Sequence, residues 1–246
     1  MEAALARRDG GSDEPRNRPL ANARAAESIR ALIFDMDGTL VDSEPFAERA
    51  WTEFLRRHGH ELRPEVLNRM FGLRMPDGVA IMKEAYGLDL PLAEIAATYG
   101  ELRLAALRGN LRPMPGAAEL VAFGREAGLR LGLATSSLRH HADLTLAEIE
   151  LAGAFDAEAT GDEVERGKPA PDIFLLAAAR LGVAPPHCVV LEDAPAGVAA
   201  AVAANMRCVW VPNAKTRDLP FPTTPDATLP DLGAVIPWLR ARGVQG

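Results

Sequence analysis

The run IRALIF (residues 29–34), apolar at five of its six positions, leads straight into Asp35. A run this short and this apolar reads as a β-strand buried on both faces, the kind found inside parallel sheets. Three similar runs follow much later: LRLGLAT (129–135), HCVVLE (187–192) and MRCVWV (206–211), with a weaker one near 155–160. Helical patterns lie between them, in AAELVAFGREAG, DIFLLAAARLG and APAGVAAAVAAN. Strands that alternate with helices imply right-handed crossovers and a parallel sheet covered on both faces. The predicted class is therefore α/β.

The stretch 45–111 breaks that rhythm. It has no strong strand pattern and reads as helices around 47–57, 64–70, 77–86 and 92–108, separated by Gly- and Pro-containing breaks. An all-helical block placed after the first strand of a parallel sheet is an insertion. Its two crossings, near 43–45 and 110–115, should lie close together and serve as hinges for a moving lid. The expected division is an N-terminal tail over 1–28, an α/β core over 29–44 and 112–246, and a helical cap over 45–111. The Pro- and Thr-rich stretch PNAKTRDLPFPTTPDATLPD reads as loops, and LGAVIPWLRAR as a final helix.

Composition excludes several classes. The 246 residues carry a formal net charge of -7, so nothing suggests an electrostatic nucleic-acid binder. No apolar run approaches the roughly 20 residues needed to span a bilayer, so no membrane partner is expected. The Arg-rich tail lacks the apolar stretch of a secretory signal, and Glu2, Asp9, Asp13 and Glu14 are foreign to a transit peptide; it reads as disordered. The two cysteines, Cys188 and Cys208, sit inside strand-like runs. They read as buried free thiols, which fits a reducing, cytoplasmic compartment.

The chemistry concentrates in FDMDGTLVDSE (34–44). Asp35 and Asp37 follow the carboxyl end of a strand, the edge where open α/β sheets bind ligands. Crowded carboxylates either hold a divalent cation or push one pKa up, which separates a nucleophile from a general acid/base. Gly38 lets the backbone turn sharply beneath them. A calcium loop of the EF-hand type needs Gly at its sixth position and Glu at its twelfth; here Gly38 is fourth, counting from Asp35, and a buried strand precedes it. A plain acidic turn would account for this segment alone.

Other strand ends weigh against that reading. Thr135, followed by Ser136 and Ser137, offers hydroxyls and backbone N–H groups suited to phosphate, although helix capping explains the same residues. Lys168, in GKPAPD, is a point cation before a helix, and an exposed loop lysine is the alternative. Glu192 and Asp193 end VVLED, where Mg²⁺ binding competes with capping.

In this order the four segments resemble the haloacid dehalogenase superfamily, whose signature runs D-x-D-G-T, then S/T, then K-P, then E-D. The match extends from about 29 to 211. The inserted helices look like the cap of the subfamily that includes β-phosphoglucomutase. DMDGTLVDSEP, MFGLRMPD, GKPAPDIF and LEDAPAGV are most similar to its sugar-phosphate phosphatases, among them hexitol and 2-deoxyglucose-6-phosphate phosphatases and pseudouridine-5′-phosphatase.

The resemblance implies a Rossmann-like core with a mobile cap and a Mg²⁺-dependent phosphatase acting on a small phosphate ester, such as a sugar or polyol phosphate. Asp35 would attack phosphorus. Asp37 would protonate the leaving oxygen and then activate water. Mg²⁺ would be held by Asp35, the Asp37 carbonyl and Asp193, with Glu192 nearby or ligating. Thr135 and the Ser136 backbone would hold phosphoryl oxygens, and Lys168 would neutralise charge.

Arg74, in FGLRMPDG, would contact the substrate's polar tail or help close the site, with a solvated surface role equally open. Trp51 reads as cap core, and the five histidines as solvated or capping groups. A monomer is expected for this family.

Three alternatives stand beside this. Phosphomutases similar to β-phosphoglucomutase carry a histidine ten residues after the acid/base aspartate, where this chain has Ala47. Dehalogenases lack the second aspartate. A non-catalytic phospho-ligand-binding protein would have lost Asp35, Asp37 or Lys168.

Overall fold

The structure, a computed structural model, describes residues 28–220 and 223–246. The expected tail up to residue 27 lies outside the described residues. Six strands form one parallel sheet: β1 (Ala31–Phe34), β2 (Arg130–Ala134), β3 (Ala157–Ala159), β4 (Cys188–Glu192), β5 (Arg207–Trp210) and β6 (Ala227–Thr228). Their order is β3-β2-β1-β4-β5-β6. The chain builds outward from β1 in one direction, then crosses back and builds in the other. A ligand crevice is expected at that reversal, above the carboxyl ends of β1 and β4. The fold is an α/β, Rossmann-like sheet with an inserted helical block.

Every residue of β1 is buried. Leu32 and Phe34 face one side with Leu131, Leu133, Val189 and Leu191, packed under α5 (Ala117–Glu126) and α6 (Arg139–Glu148). Ala31 and Ile33 face the other with Cys188, Val190 and Cys208, packed under α7 (Asp172–Leu181) and α8 (Pro195–Ala203). Two-sided burial is why these strands read as continuous apolar runs. Cys188 and Cys208 are free and buried, as expected, and burial raises both thiols, that of Cys188 to about 11.

Between β1 and α5 lie α1 (Glu44–Arg57), α2 (Pro64–Leu67), α3 (Met75–Tyr86) and α4 (Leu92–Leu107). They share an apolar cluster of their own, with Trp51 stacked on Tyr99 at 3.9 Å between centroids and edge-on to Phe54. Trp51 is thus a core residue of this block. The two crossings run side by side: Asp42 N donates to Arg112 O at 3.1 Å, and Met114 N to Leu40 O at 2.8 Å.

Boundaries differ from expectation in three places. The first helix begins at Glu44, because Pro45 falls in its first turn, where its missing N–H is harmless. The second helix closes at Leu67, and residues 68–72 continue as turns. The Pro- and Thr-rich stretch contains β6, whose two residues are too few for a periodicity to show; α9 (Val235–Arg240) follows. No helix among the described residues is long and apolar enough to cross a membrane.

Candidate active site

The register of the sheet gathers the site. Phe34 pairs with Leu133 of β2 and Leu191 of β4, so Asp35 leaves the sheet between the ends that carry Thr135 and Glu192. Lys168 reaches in from the turn before α7. Its Nζ donates to Asp35 Oδ1 at 2.5 Å and to Glu192 Oε1 at 2.7 Å, fully shielded from solvent. Burial pushes the lysine's pKa down, but the two carboxylates outweigh it and hold the group above its ordinary value. Glu192 Oε2 accepts from Ala194 N at 2.8 Å, so both its oxygens are tied.

Asp193 stands on the other side of Asp35. Thr39 Oγ1 donates to its Oδ1 at 3.1 Å and Asn213 Nδ2 to its Oδ2 at 2.8 Å. Gly38, at φ 86°, makes this approach possible: a Cβ there would lie 2.6 Å from Asp193 Oδ2.

One oxygen from each of Asp35, Glu192 and Asp193 lies within 4.8 Å of the others, and all three residues are buried. Burial pushes Asp35 and Asp193 well above the usual carboxylate range, and repulsion from Glu192 adds to it. Three buried carboxylates, only two of them bound to an ammonium, form a set that a hard divalent cation would complement. The donor set fits a divalent metal ion.

Asp37 turns toward the helical block. Ser43 Oγ donates to its Oδ1 and Ser137 Oγ to its Oδ2, each at 2.6 Å. Arg103, from α4, donates from Nη2 to Oδ1 at 2.6 Å. Burial raises this carboxyl's pKa, but Arg103 and the two hydroxyls outweigh it and hold Asp37 below its ordinary value. Thr135 is buried, and its Oγ1 accepts from Ser137 N at 3.0 Å. Ser136 Oγ donates to Gly72 O at 2.7 Å, a bond between the sheet and the helical block.

A cavity opens over Asp35, Asp37, Thr135 and Ser136; Arg74 also lines it, but its guanidinium is committed elsewhere. It pairs with Asp77 and donates from Nη1 to Val164 O at 2.9 Å and Glu165 O at 3.0 Å.

Sequence reasoning did not single out Arg103, Ser43 or Glu44. Arg103 reads as an ordinary helix arginine 66 positions from Asp37. Glu44 lines the cavity, and burial, with Asp37 next, pushes its carboxyl up to about 7. His141 corrects an expectation. It is neither solvated nor a cap but buried on α6, lining the cavity; burial, then Arg103, pushes it down to about 4, so the ring is neutral. His58, by contrast, donates from Nδ1 to Phe54 O at 2.8 Å from the end of α1, as a capping group does.

Comparison with known proteins agrees with this architecture. The family model for haloacid dehalogenase-like hydrolases matches residues 29–205. Hexitol phosphatase B of Escherichia coli (strain K12) is 35% identical over 206 residues, covering 83% of this chain and 93% of that protein. The phosphorylated carbohydrates phosphatase of Thermotoga maritima is 32% identical over 182 residues, covering 74% and 84%. The crystal structure of CbbY from Rhodobacter sphaeroides in complex with phosphate superposes with a TM-score of 0.76 at 30% identity, covering 84% of this chain and 96% of that one. The parallel sheet, its strand-end carboxylates and these likenesses together establish that the chain belongs to the haloacid dehalogenase-like hydrolase family.

Proposed function

We propose that this hydrolase is a Mg²⁺-dependent phosphatase that cleaves a small phosphorylated metabolite, a sugar or polyol phosphate, through an aspartyl phosphate on Asp35. The observation that carries the reading is the buried set of Asp35, Glu192 and Asp193, the first two bound to Lys168, with Asp37 two residues beyond the nucleophile. The names of the relatives point to phosphorylated carbohydrates.

Lys168 binds one oxygen of Asp35, which fixes the carboxylate and leaves the second oxygen to attack. As that oxygen bonds to phosphorus, the bond from phosphorus to the ester oxygen breaks, and the leaving oxygen takes a proton from Asp37. In the second step Asp37 takes a proton from water. The water oxygen bonds to phosphorus, the bond to Asp35 breaks, and phosphate is released.

Arg103 holds Asp37 in the ionised form that suits the second step; the first requires Asp37 to leave Arg103 and carry a proton. Thr135 and Ser136 line the same cavity, and the Thr135 hydroxyl and Ser136 N–H would hold the phosphoryl oxygens. Asp35, Asp193 and the Asp37 carbonyl would hold Mg²⁺, with Glu192 orienting Lys168. When bound, the cation supplies positive charge to the phosphoryl oxygens. The helices 45–111 act as a cap whose closure excludes water.

Ala47, on α1, lines the cavity where phosphomutases of this fold carry histidine, which supports hydrolysis over isomerisation. The test is phosphate release from a panel of sugar, polyol and nucleoside phosphates, with Mg²⁺ and with EDTA, beside Asp35→Asn. Metal-dependent release that the variant loses is expected. Release that persists in Asp35→Asn would remove the nucleophile from the scheme.

A further inference from the structure

Among the described residues, two buried side-chain polar atoms have no hydrogen-bond partner: Arg103 Nε and His141 Nδ1. Both residues line the cavity that holds Asp35 and Asp37. They come from different parts of the fold, Arg103 on α4 of the helical block and His141 on α6 beside the sheet. Buried polar groups are normally paired, so two orphans in one cavity mark the place where a ligand completes the network.

The rest of Arg103 limits what that ligand can be. Its Nη2 is bonded to Asp37 Oδ1 at 2.6 Å. A guanidinium presents its Nε–H and Nη–H side by side in one rigid plane. An atom bound at Nε therefore lies beside the carboxylate that must reach the ester oxygen.

A second anionic group there would meet Asp37 and Glu44, and a cationic one would meet Arg103. A hydroxyl meets neither objection. It accepts from the guanidinium and donates to the neutral imidazole.

We propose that Arg103 and His141 form a hydroxyl-reading subsite for the leaving group. A hydroxyl on the carbon next to the phosphoester accepts from Arg103 Nε and donates to His141 Nδ1, while the ester oxygen faces Asp37. The inference rests on the phosphatase reading and adds to it a specificity rule. Esters with a hydroxyl at that position are cleaved in preference to their deoxy analogues.

The probes are sorbitol 6-phosphate and 5-deoxysorbitol 6-phosphate, compared as a ratio of kcat/KM in the full-length, Mg²⁺-loaded enzyme. The wild type should favour the first by on the order of 10- to 100-fold, since the analogue leaves a charged donor unpaired. Arg103→Lys keeps a cation beside Asp37 but removes Nε, and His141→Leu removes the acceptor; each should bring the ratio toward one. A ratio is insensitive to a general loss of active enzyme, so a purely structural effect would lower both rates and leave it unchanged.

A wild-type ratio near one, an unchanged ratio in both variants, or turnover of other esters but neither probe would overturn the subsite and leave the phosphatase reading intact. Failure to release phosphate from any ester would overturn the reading beneath it.

Discussion

A Cβ built on Gly197 would lie 1.6 Å from Glu192 Oε1. The glycine is the third residue of α8, where alanine would ordinarily favour the helix by about 1 kcal/mol. Here the carboxylate cannot step aside without breaking its bonds to Lys168 Nζ and Ala194 N. Gly197→Ala should therefore destabilise the fold by about 1–3 kcal/mol and cut turnover sharply. Thermal melts beside phosphate-release assays check this, and a variant with wild-type activity would show that Glu192 is less firmly held.

Removing a charge from the carboxylate cluster should act in opposite directions with and without metal. Asp193 is pushed up by burial and by repulsion from Glu192 and Asp35, so it opposes folding when ionised and uncompensated. Asp193→Asn should melt higher than the wild type in EDTA. It should gain less from added Mg²⁺ and need at least 10-fold more metal for half-maximal activity. Equal responses of the two proteins to Mg²⁺ would dismiss Asp193 as a ligand.

Glu44 predicts a pH effect on stability. Its carboxyl is raised to about 7 in the fold, from an ordinary 4.5. Between those values the folded state binds more protons than the unfolded one, so stability falls as pH rises and the full cost is present above 7. Glu44→Gln removes that cost. In EDTA its melting advantage over the wild type should be small at pH 5 and larger at pH 8, by about 1–3 kcal/mol. A difference independent of pH would show that Glu44 is better solvated than its position implies.

Arg74 ties the helical block to the loop ahead of Lys168 through two carbonyls. Arg74→Ala should lower kcat/KM by about 5- to 30-fold, with the two lost bonds together worth about 1–2 kcal/mol. Cleavage by a protease between residues 164 and 167 should become faster. Arg74→Lys should recover little, because one ammonium does not reproduce a planar fork that also pairs with Asp77. Wild-type rates in the alanine variant would mean the closed form does not depend on this latch.

The sheet and the strand-end residues were legible because both follow from local pattern. Asp35, Glu192 and Asp193 announce themselves as acids at the ends of apolar runs, and the structure brings them together. The second half of the site was not legible. Arg103 meets Asp37 only through the packing of α4 on α1, and nothing near it in the chain marks it out. His141 was misjudged because two adjacent histidines at a helix start read as polar surface, whereas the helix turns only His140 outward. Ser43 lies within FDMDGTLVDSE, but its role depends on the chain doubling back at Gly38. β6 escaped because a two-residue strand is defined by its neighbour, not by its own sequence.

The two faces of β1 are unequal in size, with Ala31 and Ile33 on one and Leu32 and Phe34 on the other. A slip of one residue in its pairing would exchange these sets, forcing a phenyl ring into space shaped for smaller groups and leaving a void opposite. The same slip would carry Asp35 about 3.3 Å along the strand, away from Lys168, and turn it to the other face. The interior thus proof-reads the nucleophile: a chain that settles in the wrong register is penalised by its packing before its chemistry is ever tried.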